Sequence, residues 1–233
     1  MTIFISLMNI MQFKFSILLF FLLIIAISEV QAGTTLNGWD ITRHSHFAGI
    51  EEFSITNDYV LIENKYLHAI FSANSNIVTV FNKSTKKYVN VPINELFDTL
   101  FATKNCQDIR KPIKWLKKRT YTQGDLTLVE FIGENSQVVV TTVENIHVTK
   151  NFTEFYQKAF SFPTNAFPYK IEITNNLKQK NNTLSTYACY TTQIKHVNFS
   201  PDKFKIPKSY KKVRTIGSIY INDDLEDFTK SLN

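Results

Sequence analysis

The chain has 233 residues, with 26 Lys and Arg against 20 Asp and Glu, for a net charge of +6. The basic excess is modest and forms no continuous block, which argues against a nucleic-acid-binding arm. With only 6 Gly there is no Gly-rich phosphate loop.

The N-terminus has the three parts of a secretory signal: a basic residue (Lys14), an uncharged apolar run (Phe15 to Ser28) and the small-residue ending Val30-Gln31-Ala32. Met8 and Met11 are alternative starts, and Met11 gives the tidier signal. Cleavage after Ala32 is expected, leaving residues 33–233 as a single domain, secreted or held in the lumen of the secretory pathway. The competing reading is an uncleaved anchor, since a membrane span takes about 20 apolar residues. No second apolar run of that length follows.

Residues 39–91 read as a meander of short antiparallel strands. Alternation is loose over Trp39 to Phe47 and clearer in the runs Glu52–Thr56 and Tyr59–Glu63, which flank the turn dipeptide Asn57-Asp58. Leu67–Ser72, Ile77–Phe81 and Tyr88–Val91 continue the pattern. Pro92 then opens a helix, because Ile93, Leu96, Phe97, Leu100 and Phe101 recur at helical spacing. Residues 104–117 look irregular. Strands resume at Arg119–Thr122, Leu126–Ile132 and Gln137–Val148, separated by turn-forming Gly, Asp and Asn. Residues 151–169 are rich in Phe and Tyr, helical in spacing at first and then broken by Pro163 and Pro168. Tyr169–Thr174 and Ser185–Val197 are strand-like. Phe204–Pro207 and Val213–Tyr220 read as short extended pieces, and Asp223–Leu232 as a last helix or a frayed tail.

Cys106 and Cys189 are the two cysteines, and an even pair in an oxidising compartment reads as a disulfide. It would close a loop of 82 intervening residues; two free buried thiols are the alternative. Asn82, Asn151, Asn181 and Asn198 each begin an Asn-x-Ser/Thr sequon and are expected glycosylation sites. Asn82 and Asn181 lie in polar, turn-like stretches, whereas Asn151 and Asn198 stand beside Phe.

Sites for chemistry are sparse. His44 and His46 would share one face of a strand, but no third metal ligand can be assigned. The carboxylate pairs Glu51-Glu52 and Asp223-Asp224 read as exposed. No catalytic residue, metal site or cofactor is expected, and the chain is not read as an enzyme. Two basic stretches, Arg110–Arg119 and Lys203–Arg214, interleave cations with aromatic and apolar residues, which suits weak contact with an anionic membrane surface; the plainer reading is solvated charge over a partly buried seam. In the aromatic segment 152–169, Phe155, Phe160 and Phe162 are the expected lining of a lipophilic pocket or its lid; the plainer reading is that they cover an open sheet face.

Three stretches carry a family likeness. They are Gly38-Trp39-Asp40-Ile41, the strand–turn–strand–helix run Val78 to Phe97, and Phe204-Lys-Ile-Pro-Lys-Ser-Tyr-Lys-Lys-Val213. Over residues 35–215 the chain resembles the bacterial lipoprotein-carrier-like superfamily. That resemblance implies a strongly curved, unclosed antiparallel β-barrel with helices in its concave face, where acyl chains or other apolar ligands are held. No lipobox cysteine follows the signal, a departure that argues against the chain itself being a lipoprotein.

The expected fold is therefore α+β: a strongly curved, mostly antiparallel sheet (an unclosed barrel) with one or two helices packed on one face. The expected function is a secreted, non-catalytic binder or carrier of a lipid-like small molecule, without nucleic-acid partners. The alternative is a secreted protein-interaction or surface-coat module that has no pocket.

Overall fold

The computed structural model describes residues 35–46, 48–101, 113–134, 138–175 and 184–221. The segment read as a signal peptide, Cys106, Asn181 and the region Asp223–Leu232 lie outside them. Twelve strands form one sheet, in the order β12-β6-β5-β4-β3-β2-β1-β11-β10-β9-β8-β7, and the sheet is not closed. The strands are β1 (Leu36–Ser45), β2 (Gly49–Thr56), β3 (Tyr59–Asn64), β4 (His68–Ser72), β5 (Ile77–Asn82), β6 (Lys87–Pro92), β7 (Trp115–Gln123), β8 (Leu126–Gly133), β9 (Val138–His147), β10 (Ala166–Asn175), β11 (Leu184–Phe199) and β12 (Lys211–Lys212). All neighbours are antiparallel except β12 and β6. Two short helices, α1 (Ile93–Phe101) and α2 (Lys150–Phe160), accompany them. The protein is thus mostly β rather than α+β.

Local chemistry sets the meander. Asn57-Asp58 is the whole β2–β3 loop, and the Thr56 hydroxyl oxygen accepts from the Tyr59 amide at 3.0 Å. Asn64 Oδ1 accepts from the amides of Tyr66 and Leu67, turning β3 into β4. Asn82 Oδ1 does the same for Ser84 and Thr85 between β5 and β6. At Gly38 an added Cβ would fall 2.0 Å from the Ile55 carbonyl oxygen, so only glycine lets β1 lie this close to β2.

The period-two pattern sorts side chains onto two faces. One face carries Ile41, Phe53, Ile55, Val60, Ile62, Ala69, Phe71, Val78, Val80, Val89 and Val91 into the main core, with Ile93 and Leu96 of α1 and Phe152, Phe155 and Tyr156 of α2. On the other face Leu61, Ile70 and Phe81 join Phe199 and Phe204 in a second cluster. Strands β3 to β5 are therefore buried on both sides, which is why their sequences read as near-continuous apolar runs.

The second cluster exists because the chain after β11 returns across the sheet. A 3-10 turn at Pro201–Phe204, capped by the Ser200 side chain, sets Phe204 on Tyr59 at 5.3 Å and against Phe199 at 5.6 Å. The strap then pairs β12 with the edge strand β6. A second 3-10 turn, Gly217–Tyr220, buries Ile219 in the main core. The expected extended pieces at 204–207 and 213–220 are thus largely turns. In turn, β7 begins at Trp115, inside the stretch read as irregular.

Candidate functional site

Buried charge enters the main core at Lys87, at the start of β6, and at a pair formed between β1 and β2. Arg43 on β1 and Glu51 on β2 both sit in the inward phase of their strands, in register opposite one another. Arg43 is 3% exposed and Glu51 7%, so the pair is removed from water. The guanidinium meets the Glu51 carboxylate at 2.7 Å through Nη2 and donates from Nε at 2.8 Å. It also donates to the Tyr156 hydroxyl at 2.7 Å and to the Pro168 carbonyl at 3.3 Å. Asn64 donates to the other Glu51 oxygen at 3.5 Å. Phe53 lies under the guanidinium plane at 4.7 Å.

Irregular backbone makes this geometry. The β1–β11 register shifts between Thr42 and Arg43, and the β10–β9 register shifts between Pro168 and Lys170. Such bulges re-aim side chains, and they turn the Pro168 carbonyl toward Arg43. Burial alone works to lower the Arg43 pKa, but Tyr156, Cys189 and Glu51 outweigh it, so its charge is held more firmly than in water. Tyr156 is pushed up by burial, which exceeds the opposing pull of Arg43, and it stays a neutral donor-acceptor. Burial also raises the Cys189 thiol above its ordinary value against the pull of Arg43.

Arg43 thereby holds the middle of α2. The N-terminal end of α2 is held by Asn151, whose amide nitrogen donates to the carbonyls of Ser72 at 2.7 Å and Ser75 at 2.9 Å. Its oxygen accepts from the Thr149 hydroxyl and the Phe152 amide. The C-terminal end is held by Trp115, whose indole donates to the Ser161 carbonyl at 2.6 Å. Ser161 adopts φ 48°, the left-handed conformation that stops the helix.

Phe155 packs on Phe71 at 5.7 Å and Tyr156 at 5.9 Å, and Phe162 packs on Tyr156 at 6.2 Å. Both face side chains of the protein itself; the side chain of Phe160 lies outside the described set. A separate cleft of about 130 Å³ opens where the start of β1 meets the ends of β9 and β11, with Trp39, His147 and His196 in its wall. It is smaller than the roughly 300 Å³ at which small-molecule pockets begin, and neither Phe155 nor Phe162 reaches it.

Several expectations need correcting. Glu51 was expected to be exposed with Glu52 but is half of the buried pair, because adjacent strand residues point to opposite faces. His46 falls in the turn after β1, while His44 stacks on Tyr190 at 5.3 Å. Among the described residues no group of three His, Cys, Asp or Glu is placed to hold a metal. Asn151 is 3% exposed with both amide hydrogens engaged, so a glycan there is incompatible with this packing. Asn198 is exposed, and Asn82 is half-buried in its turn. Cys189 is buried with no disulfide among the described residues, and Cys106, its expected partner, lies outside them. In the basic stretches Phe204 is buried and Tyr210 packs on Phe81 at 6.2 Å, so these aromatics turn toward the sheet and not outward.

Arg43, Glu51 and Tyr156 were missed as a group in the sequence. The available signal was phase: Arg43 follows Trp39 and Ile41 at period two, and Glu51 precedes Phe53 and Ile55.

No protein-family model matches this chain, and no curated protein matches it. One solved structure that it resembles is an uncharacterized conserved protein from Thermus thermophilus. The match has 10% identity and a TM-score of 0.41 and covers 80% of this chain and 93% of that one.

Proposed function

We propose that the protein is a non-catalytic, secreted carrier or binder of an elongated lipid-like ligand, held between a curled sheet and α2. The observation that carries this reading is the reach of α2. Its 11 residues span roughly 16 Å at about 1.5 Å per residue. Yet its two ends are hydrogen-bonded next to β4 and β7, eight places apart in the strand order. On a flat sheet that separation would be about 38 Å at about 4.8 Å per strand. A sheet curled around the helix accounts for the difference.

Under α2 lie the apolar side chains of Phe53, Phe71 and Phe167, with Arg43 and Glu51 beside them. Three polar ties hold α2 there, at Asn151, Tyr156 and Ser161. A helix seated on apolar side chains and fixed by a few hydrogen bonds is an element a ligand can replace, because burying each CH₂ contributes about 0.8 kcal/mol. In this reading the ligand takes the place of Phe152, Phe155 and Tyr156 against Phe53 and Phe71.

The test is uptake of a fluorescent fatty acid by the purified protein. Saturable binding is expected, and Tyr156→Phe should tighten it by releasing the central tie. Absence of uptake by both proteins would reject the carrier reading. It would bring forward the protein-interaction module, which the exposed edge strand β7, with Leu116 52% exposed, favours.

A further inference from the structure

We propose that the protein docks on anionic phospholipid bilayers through a patch built from the β3–β4 turn, the β5–β6 turn and the end of the C-terminal strap. An antiparallel meander places every second turn at the same end of the sheet, so these two turns share one end. The strap is tied down between them. The Tyr220 hydroxyl donates to the Tyr66 carbonyl at 2.6 Å, and the Thr85 hydroxyl donates to the Ile219 carbonyl at 2.6 Å. The Lys87 ammonium donates to the Ile221 carbonyl at 2.8 Å.

These bonds fix Tyr66, Tyr220 and Ile221 side by side, with exposures of 57%, 47% and 44%. Three segments distant in sequence converge to make one small apolar surface. Tyrosine, with an apolar ring and a polar tip, suits the boundary between headgroups and acyl chains.

The surroundings are basic. Lys65 lies 5.4 Å from the centre of the Tyr66 ring; on the neighbouring turn Lys86 is exposed, and Lys83 is exposed but paired with Glu63. The strap arrives at the same end, with Lys211 opposite Lys87 in register. Of the strap's cations, Lys211 and Lys212 reach this end, while Lys203 over Phe199 and Lys205 paired with Asp202 lie toward Tyr59 at the other end of β3. The strap's own Phe204 and Tyr210 are turned to the sheet, so it contributes charge while the turns contribute the inserting groups. Cations around an exposed Tyr/Ile cluster match a negatively charged bilayer. A soluble polyanion would need the cations alone. The proposal does not rest on the carrier reading, since docking needs no cavity.

The experiment is co-sedimentation of the full chain with phosphatidylcholine vesicles, with and without phosphatidylserine, at low and high salt. Binding should require phosphatidylserine and weaken with salt. Lys65→Glu with Lys86→Glu should reduce partitioning about tenfold or more. Tyr66→Ser with Ile221→Ser should reduce it several-fold at unchanged charge. All four side chains are exposed, so both variants should keep the thermal melt of the parent protein, which serves as the folding control. Absence of binding, or equal binding without phosphatidylserine, overturns the proposal. So does an unaffected Tyr66/Ile221 variant together with equal retention on immobilised heparin, which would point to a soluble polyanion. Binding that appears only after Asp223→Asn, Asp224→Asn, Glu226→Gln and Asp227→Asn would make the chain's own acidic tail the occupant, and also overturns it.

Discussion

At the scale of single residues, Arg43 is the position where sequence and structure differ most in meaning. As a letter it is one of 26 Lys and Arg; in place it is a buried cation between two aromatic rings and a carboxylate. Removing one partner of such a pair leaves the other charge stranded, at about 3–5 kcal/mol. Arg43→Met should therefore lower the unfolding free energy by that order in a urea titration. The double variant Arg43→Met, Glu51→Leu should recover much of the loss, since no charge is then left buried. His68 tests a milder case. Burial lowers its pKa below 6.5, with Lys83 adding to the shift and Glu63 opposing it. The folded state then binds fewer protons than the unfolded one, so stability rises with pH in this window. The contribution is full above about pH 6.5 and is lost as pH falls through the lowered folded value. Denaturant midpoints at pH 7 and pH 5 should differ less in His68→Asn than in the parent, by a small amount because the ring is partly solvated.

At the scale of elements, α2 and the strap each have an anchor whose removal can be read on its own. Asn151 satisfies two carbonyls at the β4–β5 turn. Asn151→Ala should cost about 1–3 kcal/mol for those orphaned acceptors and should raise amide exchange in α2 before it affects β3 or β4. Peptide mapping should find Asn151 without glycan. On the opposite face, Phe204 packs between Tyr59 and Phe199. Phe204→Ala should cost about 3–5 kcal/mol, read as a shifted thermal midpoint, and should loosen β12 first because its two-residue pairing has little else to hold it.

At the scale of the whole molecule, the described sheet shares one main core that runs from β6 through α1 and α2 to β8, β9 and β10. Cys189 reports on it. The thiol is 5% exposed and held neutral by burial, and only the thiolate reacts quickly. If Cys189 is a free thiol in the purified protein, its alkylation should proceed at the rate of global unfolding and accelerate steeply with urea. Fast labelling of Cys189 in native buffer would mean that the β10–β11 region opens independently.

Much of the architecture was set by local pattern. Period-two runs from residue 39 to 91, the two-residue Asn57-Asp58 loop and the helical stripe after Pro92 all became β1 to β6 and α1 as expected, because each depends on neighbours within a few positions. Segments decided by distant contacts were not legible. Glu51 looked solvent-facing although Arg43 is only eight residues away, because the pair is made dry by Tyr156 and Pro168, which bond the same guanidinium from far along the chain. Asn151 looked like a glycan acceptor until α2 lay against the β4–β5 turn. Phe204 and Tyr210 could face a membrane or cover a buried seam, and the strap crossing the sheet decided for the seam. In each case side-chain chemistry left two environments open, and the choice depended on which strand or turn the folded chain places opposite. Sequence by itself determined strands, turns and the phase of each side chain. Tertiary structure decided which polar groups are dry and where the helices and strap are anchored, because, the Arg43–Glu51 pair apart, the partners lie 46 to 154 residues away.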